Sequence, residues 1–179
     1  MRAPRTLAAA AFGLVALLAP LAAPANAGPA HQVKVAKAAT EGFTHTHAAK
    51  KAGYALLKDL DGIACIDMKG MGGMGIHYAN TSLVDDKIQL RHPEALVYRF
   101  ANNGHLRLAA LEYLVTVADW RTNHPTGRPE LFGHRFNLTP AGNRFGLPAY
   151  FSLHAWLWYD NPDGTYKMWN PRVYCPAGV

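Results

Sequence analysis

Charge is scarce in this sequence: 17% of its 179 residues are Asp, Glu, Lys or Arg, against 50% hydrophobic. That balance excludes a disordered chain. Basic clusters are missing too. Lys50-Lys51 is the one adjacent pair, and scattered basic residues argue against nucleic-acid binding despite a formal charge of +6. Past the N-terminal region no long apolar run occurs, so no transmembrane span is expected. There is no G-x-S-x-G elbow and no H-E-x-x-H, and no paired carboxylates sit in a polar cleft motif, which leaves serine-hydrolase and zincin chemistry without support. Gly70-Met-Gly-Gly-Met-Gly75 contains G-x-G-G-x-G, but no strand precedes it and no helix follows, so a phosphate cradle is not expected. It reads instead as a flexible or tightly turned approach to His77.

Residues 1–27 read as an export signal. Arg2 and Arg5 supply the positive start, Thr6 to Ala19 a run of about fourteen largely apolar residues, and Ala25-Asn-Ala27 a small-residue cleavage point. Cleavage near Ala27 would leave a secreted or cell-wall-associated protein. It would also remove two of the 18 basic residues and none of the 12 acidic ones, so the mature charge falls to +4. Export makes a disulfide the expected state of Cys65 and Cys175, the two cysteines of the chain. A nucleophilic Cys65 paired with a histidine has no local signature.

The expected fold is α+β, a single domain over residues 40–179. An N-terminal helix would pack on a curved antiparallel sheet or small, partly open barrel, held by one disulfide. Residues 28–39 read as a flexible lead-in. Apolar spacing predicts a helix in 40–60, with Gly53 a candidate end. Glu94–Phe100 and Leu106–Val117 read as strands joined by the turn Asn102-Asn-Gly104. Residues 121–148 are rich in Gly and Pro, with a short strand expected at Leu131–Leu138. Such a long loop usually carries function or covers a sheet edge. Tyr150–Tyr159 reads as a third strand, turned by Asn161-Pro-Asp-Gly164 into a hairpin with Thr165–Trp169.

Nine histidines are the chemical resource of this chain. Glu112 stands mid-strand, and strict alternation puts it on one face with Leu106, Leu108, Ala110 and Leu114. His154 stands mid-strand in YFSLHAWLWY, and His77 follows the glycine-rich turn. Two histidines and a carboxylate form a ligand set for Zn, Cu, Mn or Fe, with His134 a further candidate and Glu112 the candidate general base if the site is catalytic. The rival reading pairs Glu112 with Arg99, Arg107 or Arg144 and leaves the histidines as core residues. Trp156 and Trp158, on the face of His154, and Tyr78 would suit a flat glycan, cell-wall component or other small molecule; the rival is an aromatic core near the disulfide. The remaining six histidines are expected at the surface.

The segments Met74-Gly-Ile-His-Tyr78, Leu111-Glu-Tyr113, Leu131-Phe-Gly133, Asn143-Arg-Phe-Gly-Leu-Pro148, Leu153-His-Ala-Trp-Leu-Trp158, Asn161-Pro162 and Trp169-Asn-Pro171 with Cys175 resemble a family of exported, actinobacterial-type hypothetical proteins. The resemblance spans most of residues 40–175. It implies export and adds no mechanism. The leading expectation is a secreted transition-metal-binding protein, with enzyme activity left open. The alternatives are a non-enzymatic module with an aromatic glycan-binding face and a purely structural exported domain.

Overall fold

The structure is a computed structural model and describes residues 28–179; the export signal expected at 1–27 lies outside the described residues. In chain order the helices are α1 (Pro29–Thr40), α2 (Thr46–Lys51) and α3 (Val117–Asn123). The strands are β1 (Ala55–Leu56), β2 (Cys65–Met68), β3 (Gly72–Ala79), β4 (Ala95–Phe100), β5 (Leu106–Thr116), β6 (Glu130–Leu131), β7 (His134–Arg135), β8 (Asn137–Thr139) and β9 (Tyr150–Ala155). Seven strands form one antiparallel sheet in the order β1-β3-β4-β5-β9-β8, with β2 also paired to β3; β6 and β7 form a separate hairpin. The sheet is open, and the α+β expectation holds. Among the described residues no helix is long and apolar enough to cross a membrane.

The segment expected to be a flexible lead-in is a docked helix. Pro29 occupies the first turn, where its missing N–H costs nothing, and Lys37 stands in the last turn, where the helix dipole favours a cation. Ala36 and Thr40 are buried, Gln32 Oε1 accepts from the Phe132 N–H at 2.7 Å, and Thr40 Oγ1 accepts from Trp158 Nε1 at 3.2 Å. The helix expected in 40–60 is shorter: α2 stops before Gly53, which takes φ +91°. Leu96, Tyr98, Leu111, Tyr113, Val115 and Leu153 fill the sheet face beneath these helices. Each such side chain, once buried, contributes about 1.5–3 kcal/mol.

Two β-bulges decide what the opposite face carries. Val97 pairs with Ala110 but Tyr98 pairs with Leu108, so Ala109 is the extra residue in β5. The bulge breaks the alternation assumed from sequence. Leu108 joins the helix-side core with Leu111, while Ala110, Glu112 and Leu114 face the other way. Likewise Ile66 pairs with Gly75 and Asp67 with Gly73, leaving Met74 as the extra residue in β3.

The glycine-rich segment is therefore not a flexible approach but half of a strand. Its glycines admit close backbone neighbours. A Cβ on Gly72 would stand 2.1 Å from Asn170 O, and one on Gly75 2.7 Å from Tyr98 O. The loop-rich region beyond β5 also holds more structure than expected. α3 begins it, capped by Thr116 Oγ1 on the Asp119 N–H at 3.0 Å, and the strand expected at 131–138 is split among β6, β7 and β8. β9 stops at Ala155, and Thr165–Trp169 forms no strand; the Trp156 N–H bonds Thr165 O at 2.8 Å and Trp156 Nε1 bonds Lys167 O at 2.6 Å.

Cys65 and Cys175 are bonded, 110 residues apart in sequence. The bridge fastens the C-terminal segment beside β3, where Gly73 and Asn170 exchange backbone hydrogen bonds of 3.0 and 3.2 Å. Closing a loop of about 100 residues is worth up to about 4.7 kcal/mol. Replacing both cysteines by serine should cost about 2–5 kcal/mol in urea or thermal unfolding. A midpoint unmoved by the double substitution contradicts this role.

Candidate metal centre

His77, Glu112 and His154 meet on the face opposite the helices. Glu112 and His154 are direct cross-strand partners on β5 and β9. His77, on β3, reaches across β4, where Ala95 stands opposite Glu112 and Val97 opposite His77. His77 Nε2 lies 3.2 Å from Glu112 Oε2 and 3.0 Å from His154 Nε2, and His154 Nδ1 lies 3.4 Å from Glu112 Oε1. The imidazoles stand nearly perpendicular at 83°. All three residues are buried. Among the described residues, they are the group of at least three possible ligands that could hold a metal ion, each offering one donor atom within 4.8 Å of the others.

Burial works against charge on Glu112, but His154, His77 and the Ser152 side chain outweigh it and hold the carboxyl below its ordinary pKa. Burial pushes His154 down, more strongly than Glu112 pulls it up, so its ring is neutral near pH 7. An ionised carboxylate beside a neutral imidazole is the state that binds a metal without first losing protons there. The protein alone satisfies these atoms poorly. A proton on His77 Nε2 must be shared between Glu112 and His154, and His77 Nδ1 has no hydrogen-bond partner among the described residues.

The arginines considered as partners for Glu112 are engaged elsewhere. Arg144 Nη2 lies 2.5 Å from Asp59 Oδ2, Arg107 Nη1 2.6 Å from His45 Nδ1, and the Arg99 guanidinium 3.8 Å from the centre of the Tyr159 ring. The cluster opens on a cavity of about 290 Å³, walled by Met68, Met74 and Met168, by Trp169 and Tyr150, and by Asn143, Arg144, Phe145 and Leu147 of the long loop.

His134 does not join the cluster. It is exposed on β7, its ring centre 4.0 Å from that of Tyr166 and tilted by 32° to it. The expected aromatic ligand face does not form either. Because β9 ends at Ala155, Trp156 and Trp158 part company: Trp156 is buried, 6.0 Å from the His154 ring, while Trp158 packs with the helix-side core under Lys37. Tyr78 is core on that same side, edge-on to Tyr98. The six histidines expected at the surface, His31, His45, His47, His92, His105 and His124, are exposed.

Sequence reasoning missed Ser152, Trp169 and above all Glu94. Glu94 is buried, and its Oε2 accepts the Leu114 N–H at 2.9 Å. Its Oε1 has no partner among the described residues. In sequence it reads as the first residue of the strand Glu94–Phe100; in the structure it stands one residue before β4. Burial pushes its pKa up to about 8, against the pull of the Leu114 N–H.

Comparison with protein-family models, with curated proteins and with solved structures finds no match.

Glu94 has a consequence for stability. Between its ordinary value of 4.5 and about 8, the folded protein keeps a proton that the unfolded chain releases. Folding stability from this group is therefore present at low pH and lost as pH rises through that window. Glu94→Gln should gain on wild type as pH rises from about 5 to about 9, by up to a few kcal/mol in urea unfolding. A difference between the two proteins that does not vary with pH contradicts a buried, proton-retaining Glu94.

Proposed function

We propose that this protein binds one first-row transition-metal ion through His77 Nε2, His154 Nε2 and Glu112 Oε2. The observation that carries the reading is the spacing of those atoms. Ligands at 2.0–2.1 Å around a tetrahedral ion stand about 3.3 Å apart, and His77 Nε2 lies 3.0 and 3.2 Å from its two neighbours. A cation at their centre would replace the shared proton and neutralise the buried carboxylate. His154 Nδ1 would then keep its contact with Glu112 Oε1, orienting both ligands.

Three protein ligands facing a cavity resemble sites that keep a coordination position open for water or substrate, in contrast to closed structural sites. Two histidines and one carboxylate suit Zn, Mn or Fe, and also Cu(II). The three methionines of the cavity wall favour copper as a second reading, since thioethers prefer soft Cu(I). The ion would polarise a bound oxygen or lower the pKa of a bound water. The chain itself would hold Glu112 ionised, keep His154 neutral and limit water through the methionine and tryptophan wall. We place this function outside the cell. The signal-like residues 1–27 and the Cys65–Cys175 bridge, which persists in an oxidising compartment, support that placement.

Protein purified without a histidine tag and stripped with chelator should take up one equivalent of Zn(II) or Co(II) by mass spectrometry of the metal. His77→Ala and His154→Ala should each weaken binding at least about 100-fold while keeping the wild-type circular dichroism. A folded wild-type protein that retains none of Zn, Co, Cu, Mn or Fe at micromolar concentration overturns the reading.

A further inference from the structure

A second chamber adjoins the metal cavity. It holds about 310 Å³, and Glu112, Leu114, Leu147, Leu57 and Tyr150 belong to the walls of both. Its own lining is apolar, through Val84, Ala95 and Pro148, apart from Thr81, Thr116 and Glu94. Glu94 is 2% exposed, and its Oε1 is bonded to nothing among the described residues.

Structure alone does not call for this arrangement. The Leu114 N–H needs one acceptor, and Glu94 Oε2 supplies it; a glutamine would do the same. The second carboxylate oxygen is thus surplus to the fold, and a buried oxygen without a partner is destabilising. That oxygen gains a partner if a ligand fills the space. An engineered apolar cavity of about 150 Å³ admits benzene, so this chamber takes a ring with a short substituent.

We propose that the Glu94 chamber is a subsite for the apolar body of a small molecule that sets a hydroxyl or similar polar group against the Glu94 carboxyl group and presents its other end to His77, Glu112 and His154. The last clause rests on the metal reading above; the subsite itself does not. A hydroxyl suits either protonation state of Glu94, because it donates to a carboxylate and accepts from a carboxyl group. The apolar walls supply affinity and the Glu94 carboxyl group supplies orientation, the usual division of labour in small-molecule sites.

Benzyl alcohol and toluene test this, since they share the ring and differ in the hydroxyl. Each is titrated into 15N-labelled protein, metal-loaded and chelator-stripped, and into His77→Ala. Benzyl alcohol should shift the amides of Ala79, Ala95 and Leu114 in all three samples, with Kd of about 1 mM as fits a fragment. Toluene should bind about fivefold more weakly or worse. Val84→Trp, a loop substitution that fills the chamber without touching the triad, should weaken benzyl alcohol at least about tenfold. Absence of shifts at those amides, equal affinity for toluene, or indifference to Val84→Trp overturns the subsite. Metal retained without chamber binding sinks this inference alone. Chamber binding in a protein that holds no metal sinks the metal reading and leaves the subsite standing.

Discussion

A carboxylate buried in the middle of a sheet is the constraint around which this molecule is arranged. Glu112 sits on the long strand β5, flanked by β4 and β9, with water largely excluded. An isolated charge there would cost many kcal/mol or be neutralised. Two imidazoles and a serine answer it, each from a different register of the same face. Among the described residues no arginine is recruited, although three stand on neighbouring segments. Arginine would have closed the site with a permanent cation. Histidine leaves donor lone pairs, and with them the capacity to hold an exchangeable one.

The sheet had to be bent out of strict alternation to make room. The bulge at Ala109 turns Leu108 into the helix-side core, and the bulge at Met74 lies on the strand that carries His77. Bulges cost ladder regularity and recur beside functional sites, where they redirect a side chain. The same edge of the sheet is held by the disulfide and by backbone contacts that glycine alone permits. Rigidity at the strand ends thus supports a site built on strands, with the long loop supplying the lid-like wall.

Much of this was legible in the residues. The hairpin of β4 and β5, the third strand around His154, the cysteine pair and the trio His77, Glu112 and His154 all follow from pattern and from the oddity of a titratable group on an apolar strand. The rest depended on distances that a sequence does not contain. A bulge is one extra residue with no composition of its own, so the face of Leu108 was misread. The helix at Pro29–Thr40 exists because Gln32 and Thr40 find partners about 100 residues or more away. Trp156 and Trp158 looked like one face because nothing in YFSLHAWLWY announces that the strand ends at Ala155. His134 is exposed for a similar reason, its hairpin lying apart from the main sheet. Glu94 was invisible, since its importance lies in one oxygen that has a partner and one that, among the described residues, does not.

The central claim is that the three side chains converge to hold an ion, in preference to merely hydrogen-bonding one another. Anomalous diffraction at the zinc edge from a zinc-soaked crystal tests it most directly. The account predicts one dominant peak within about 2.0–2.2 Å of His77 Nε2, His154 Nε2 and a Glu112 oxygen, with density for a non-protein ligand on the cavity side. A zinc peak found only at surface histidines, with the triad still in direct contact and no anomalous signal between its members, would contradict it.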